Sequence, residues 1–195
     1  PRLRKMSVCD KLCNKHRLVQ PKQKKMKRKK RIAMAKKEKD TKTNAMRFLD
    51  THKIPYEHQS YDADGFTDGV HVAERLGIDP GITYKTLVTV GKSKNYFVFV
   101  IPVAAELHLK KAAKSVGEKS LEMIHVKDIT TVTGYVRGGC SPLGMKKQFP
   151  TVVHQAAESL AEFYVSGGRI GSQIKINPKD LVKVIHGKFD DIVVE

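Results

Sequence analysis

A chain of 195 residues has room for one domain of ordinary size. Its formal charge of +17 is unevenly held: residues 1–40 carry 17 Lys and Arg against three acids, which leaves +3 for residues 41–195. The basic character therefore belongs to the N-terminal segment and gives no reason to read the body as a general nucleic-acid binder.

No apolar run approaches the ~20 residues of a membrane span. No uninterrupted apolar core follows the early charges, as a secretory leader would need. Three cysteines, an odd number without an export signal, fit reduced thiols in a cytoplasmic setting.

Between Lys22 and Arg31, eight of ten positions are Lys or Arg. Such a block repels itself and has no apolar face to bury. Residues 1–40 are therefore expected to be a basic, disordered tail or an extension outside the fold, with Met34 opening the native frame. The functional alternative is an arm that holds RNA phosphates by charge alone. Cys9, Cys13 and His16 lie in this segment and lack the fourth ligand of a structural zinc site.

The domain, residues 41–195, opens with Thr43-Asn44 as caps for a helix to residue 52, whose Met46, Phe48 and Leu49 are spaced to face a core. A strand is expected over 54–61, a turn over 62–65, and a short helix over 70–76 stopped by Gly77. Two strands, 84–90 and 96–103, are rich in β-branched and aromatic residues and are joined by a loop of hairpin length. A helix over 109–116 and a strand over 121–125 follow. Residues 134–144 form a loop with four glycines and a proline. Strands are expected at 150–153, 162–166, 172–176 and 189–194, with Asn177-Pro178 capping a helix to residue 185. Strands and helices mix without regular βαβ alternation, which predicts an α+β single domain with a mixed sheet flanked by short helices.

Chemistry concentrates at two places. Gly138-Gly139-Cys140-Ser141-Pro142 can bring backbone N–H groups to an anion or a carbonyl oxygen, because glycine has no Cβ in the way. It matches neither G-x-x-x-x-G-K-[ST] nor G-x-G-x-x-G, so nucleotide hydrolysis and hydride transfer have no support. Lys85, beside Thr86 at the start of a strand, can pin a phosphate or carboxylate. Tyr164-Val165-Ser166-Gly167-Gly168 adds a hydroxyl before a second glycine pair. Cys140 could act as a nucleophile but has no base near it in sequence. The other histidines show no metal spacing, and no cofactor or metal is expected.

Together Leu76-Gly77-Ile78-Asp79-Pro80, Tyr84-Lys85-Thr86-Leu87, Thr133-Gly134-Tyr135, the run Gly138 to Lys147, and Tyr164 to Gly171 resemble the YbaK/EbsC family of aminoacyl-tRNA deacylases, related to the editing domain of bacterial prolyl-tRNA synthetases. The resemblance covers residues 41–195. It implies a bacterial hydrolase that clears mischarged Cys-tRNA(Pro) in trans, with Cys-tRNA(Cys) as a further substrate and Ala-tRNA(Pro) as the alternative one. It also implies tRNA as partner, with prolyl-tRNA synthetase as a second one.

By the same resemblance, Lys85 holds the phosphate of the terminal adenosine, and the backbone of Gly138, Gly139 and Pro142 holds the aminoacyl group. Tyr61, Phe66, Thr86, Cys140, Ser141, Ser166, Gly167 and Gln173 surround the substrate. Gln173 stands where the family often carries an acid, so the role of that carboxylate does not transfer. The substrate's own thiol is implied to assist cleavage, the protein supplying position and amide donors. A non-catalytic module that binds RNA or a synthetase through the basic tail is the reading of a different class.

Overall fold

The computed structural model describes residues 42–62 and 69–194. The expectations for residues 1–40, the turn after Asp62 and the pocket position Phe66 fall outside them. The described residues belong to one unit, Lys42–Glu195.

Helix α1, Asn44–Thr51, starts where Thr43 Oγ1 accepts a hydrogen bond from Met46 N, and it buries Ala45, Met46 and Leu49. Strand β1, Glu57–Ser60, is followed by α2, Gly69–Leu76, which Gly77 ends at φ 64°. A single 3₁₀ turn, Pro80–Ile82, leads into β2, Tyr84–Gly91, and β3, Tyr96–Pro102. Next come α3, Leu109–Val116, and β4, Leu121–Met123. Helix α4, Val126–Thr133, was not legible in sequence, because its β-branched residues carry no helical signal and His125 makes no side-chain cap bond. Then follow β5, Thr151–His154, a 3₁₀ turn over Gln155–Ser159, β6, Phe163–Ser166, and β7, Ser172–Ile176. Helix α5, Pro178–Val184, is capped by Asn177 Oδ1, which accepts from Lys179 N and Asp180 N. Strand β8, Lys188–Asp190, comes last.

The strands form two sheets, β1-β7-β6 and β4-β2-β3-β5-β8. The first is antiparallel; in the second, β4-β2-β3 is antiparallel while β3-β5 and β5-β8 are parallel. An isolated parallel bridge, Thr83 to Tyr164, lays β2 beside β6. This is the mixed-sheet α+β domain that the sequence predicts.

Strand β3 explains the layering. Its run Phe97-Val98-Phe99-Val100-Ile101 is buried throughout, since both faces of the central strand are covered. Val100 joins a core with Leu49, Phe163, Ile174 and Leu181, whereas Phe97, Phe99 and Ile101 pack with Ala112 and Ala113 of α3. Such burial contributes roughly 25 cal/mol per Å² of apolar surface, and it holds rigid the strand against which β2 is laid.

Candidate active site

A cavity of about 610 Å³ opens between the first half of β2, the loop after α4, the ends of β6 and β7, and the β4–α4 junction. Its size lies within the ~300–1,000 Å³ of small-molecule sites. Lys85 and Gly138, far apart in sequence, both line it. So do Tyr61, Thr86, Cys140, Ser166 and Gln173.

Lys85 is half-buried, and its Nζ donates to Val103 O at 2.9 Å. That bond ties the ammonium to the cavity wall at the end of β3. The wall also holds two buried polar atoms with no partner among the described residues, Thr86 Oγ1 and Gln173 Oε1. Gln173 is 6% exposed. A buried acceptor left unmatched costs about 1–3 kcal/mol, so both atoms are suited to a ligand's polar groups. Ser166 pairs with Gln173 across β6 and β7 and so shares its face. The Ser166 hydroxyl accepts from Gly168 N at 3.4 Å. Tyr61 is held by its N–H, which donates to Gly171 O, and burial raises its phenol pKa.

The glycine loop divides into two parts with different work. Residues 136–139 form a turn closed by Gly139 N donating to Val136 O at 3.0 Å, with Gly138 at φ 81° in the third position, where a type II turn demands positive φ. This places Gly138 and Cys140 on the cavity and spends the Gly139 amide inside the turn. Ser141, Pro142 and Leu143 are buried beneath as an anchor. There Ser141 Oγ accepts from Leu143 N, and Tyr135 Oη donates to Leu143 O at 2.6 Å. Accordingly Gly139, Ser141 and Pro142 support the turn and do not line the cavity. Gly167 is also outside the lining: its N–H donates to Ser172 O, and a Cβ there would strike Ser172 Oγ. A Cβ on Gly139 would come within 2.9 Å of the Arg169 backbone, so the two glycine turns touch.

Cys140 is no thiolate: burial, opposed in part by a hydrogen bond with Thr133, pushes its pKa up to about 11. At neutral pH about one such thiol in ten thousand is ionised, which argues against nucleophilic use.

Sequence reasoning missed several wall residues. Arg137 sits at the tip of the turn and lines the cavity while exposed to solvent; its place directly before Gly138-Gly139 was the available signal. Met123, Ile124, Val126 and Ile129 add an apolar wall that local spacing does not reveal. His58, one of the histidines without metal spacing, lies with Nε2 at 3.0 Å from Ser172 Oγ. Burial and then the Arg169 charge lower its pKa, which keeps it neutral near pH 7. Among the described residues no three His, Cys, Asp or Glu side chains converge as a metal set.

Residues 67–184 match the aminoacyl-tRNA editing domain. This chain belongs to that family. A protein of Enterococcus faecalis, whose name proposes it as the Cys-tRNA(Pro)/Cys-tRNA(Cys) deacylase EbsC, is 45% identical over 163 residues, 83% of this chain and 99% of that one. Solved structures share the fold. One proposed to be a trans-editing enzyme for prolyl tRNA synthetase is 22% identical with a TM-score of 0.69, covering 78% of this chain and 96% of its own. The hypothetical protein APE2540 is 18% identical with a TM-score of 0.72, covering 78% and 100%. The editing-domain match spans the residues that line the cavity from Gly69 to Gln173, and membership makes this domain an aminoacyl-tRNA deacylase. No helix among the described residues is long and apolar enough to cross a membrane.

Proposed function

We propose that this editing domain hydrolyses Cys-tRNA(Pro), acting in trans in the cytoplasm on tRNA released from, or held near, prolyl-tRNA synthetase. The observation that carries the reading is the meeting of Lys85 and the Gly138 turn on one cavity. The name borne by the 45% identical Enterococcus protein supports the choice of cysteinyl over other esters.

Lys85 places the phosphate of the terminal nucleotide, and Gly138 and Cys140 present backbone N–H groups to the ester carbonyl, where negative charge develops. The ester is already activated, so position and amide donors suffice without a protein nucleophile. A substrate thiol held at the carbonyl assists cleavage. Gln173 Oε1, unmatched in the wall, accepts a hydrogen bond from the α-ammonium group. A second sieve of this kind has a purpose, because small apolar differences give a synthetase only ~1–3 kcal/mol of discrimination.

The test is a panel of Cys-tRNA(Pro), Cys-tRNA(Cys) and Ala-tRNA(Pro), each with and without the synthetase. Cys-tRNA(Pro) is expected to be cleared fastest; preferential clearance of Ala-tRNA(Pro) would overturn the substrate assignment. Lys85→Ala is expected to lower kcat/KM by about 100-fold or more while the circular dichroism spectrum is unchanged, the scale of losing a charged contact in a dry site. Unaltered turnover in that variant would remove Lys85 from the mechanism.

A further inference from the structure

We propose that the open edge of β2 between Thr86 and Val88 is a base-reading subsite that holds the terminal adenine of the tRNA. This rests on the deacylase reading above and adds to it which part of the site takes the base and how.

Strand β4 pairs only with Thr89, Val90 and Gly91 of β2, and the bridge to β6 reaches β2 only at Thr83, so no ladder covers the stretch from Thr86 to Val88 on that side. The hydrogen-bond parity is fixed by two bonds at the ends of the hairpin: Val103 N donates to Thr83 O, and Gly91 N donates to Asn95 O. Odd-numbered residues of β2 therefore turn their backbone groups toward β3, and even-numbered ones turn theirs away. The bonds from Ile124 N to Val88 O and from Lys92 N to Ser120 O, on the far side, follow the same parity. Thr86 C=O and Val88 N–H thus point along the sheet toward the cavity.

The cavity lining agrees. Lys85 and Leu87 lie on one face of β2, Thr86 and Val88 on the other, and all four line it. A space that touches side chains of both faces meets the strand along its edge. Facing that edge is the stretch from Glu122 to Ile129. Its four apolar residues, Met123, Ile124, Val126 and Ile129, all line the cavity, whereas Glu122, His125, Lys127 and Asp128 do not. An uncharged flat ring suits this wall; a phosphate or an ammonium does not. A small aminoacyl group is also too little to fill about 610 Å³.

A strand edge offers the carbonyl of residue i beside the N–H of residue i+2. Adenine answers with its exocyclic amine as donor and ring N1 as acceptor. The amine donates to Thr86 C=O, and N1 accepts from Val88 N–H. With the sugar–phosphate end held at Lys85, this order is fixed, and hypoxanthine, with a 6-oxo acceptor and an N1–H donor, presents the reverse. The unmatched Thr86 Oγ1 supplies a further polar group on the same wall.

Two measurements test the subsite. In the first, uncharged trinucleotides ending in adenosine or inosine are titrated against the full chain, with the Val88 amide followed by NMR. The adenosine form is expected to shift that amide and to bind about tenfold tighter, since a mismatched donor pair forfeits both hydrogen bonds. Equal affinity overturns the proposal. So does a Val88 amide that ignores the trinucleotide but responds to a cysteine ester, because the aminoacyl group would then occupy the edge.

In the second, Cys-tRNA(Pro) with a terminal inosine is compared with the natural ester. An increase of about tenfold in KM with kcat held is expected, and Val126→Asp, at an exposed wall position, should produce the same split on the natural substrate. Equal kcat/KM for both esters sinks the subsite while leaving the deacylase reading intact. Discrimination in the first measurement with no hydrolysis of either ester would keep the subsite and sink the deacylase reading.

Discussion

At the scale of residues, the site depends on groups kept from their usual chemistry by burial. Cys140 is the clearest case, its thiol held protonated at a pKa of about 11 against 9.0 for a free one. Cys140→Ala should therefore keep deacylation within about threefold of the parent, as expected for a wall residue whose side chain forms no bond to substrate. Its larger effect lies in stability. Between pH 9 and 11 the unfolded chain has lost a proton that the folded chain retains, so stability falls as pH rises through that window and is flat below it. Urea unfolding midpoints measured across this range should decline less steeply for Cys140→Ala. Tyr84, raised to about 12 by burial, leaves part of the alkaline decline in place. An identical decline in the variant would show that the thiol is not held protonated by the fold.

At the scale of elements, two glycine turns and one strand edge make the site. The 136–139 turn rests on the Arg169 backbone through a face that only glycine leaves open at position 139. Gly139→Ala should push the two turns apart. The expected cost is about 1–3 kcal/mol of stability, typical of overpacking, together with a fall of at least about tenfold in kcat as Gly138 moves off the ester carbonyl. Thermal unfolding and single-turnover deacylation would check this; full activity would mean that the turn's position does not matter to the chemistry. The strands around the site were legible as strands, since β2 and β3 are rich in β-branched and aromatic residues and β7 alternates. Which stretch of β2 would lack a ladder was not legible, because pairing depends on where β4 and β6 leave the strand.

For the whole molecule, charge and site are separate properties. Residues 1–40 hold +14 of the +17, while the described residues that line the cavity lie between Tyr61 and Gln173. A shorter protein beginning at Met34 should therefore keep kcat. Its KM should rise by less than about threefold at physiological salt, the loss being confined to a screened, long-range attraction for tRNA. Deacylation assays at two salt concentrations would check this. Loss of kcat in the shorter protein would tie the basic segment to the chemistry and favour the reading in which it binds substrate directly.

The sequence by itself determined the α+β class, most of the strands and the caps at Thr43 and Asn177, and it pointed to Lys85 and the glycine loop, which meet on one cavity. Each of these follows from local physics: periodicity, capping groups and the backbone freedom of glycine. The family resemblance was also carried by contiguous blocks. Tertiary structure alone decided that the loop is part turn and part buried anchor, with Gly138 and Cys140 facing the cavity while Ser141 and Pro142 lie beneath it. It alone brought Arg137, Val126 and Ile129 to the same space as Lys85. The reason is that a cavity is made of surfaces distant in sequence, and whether a strand edge is paired or open is set by its neighbours and not by its own residues.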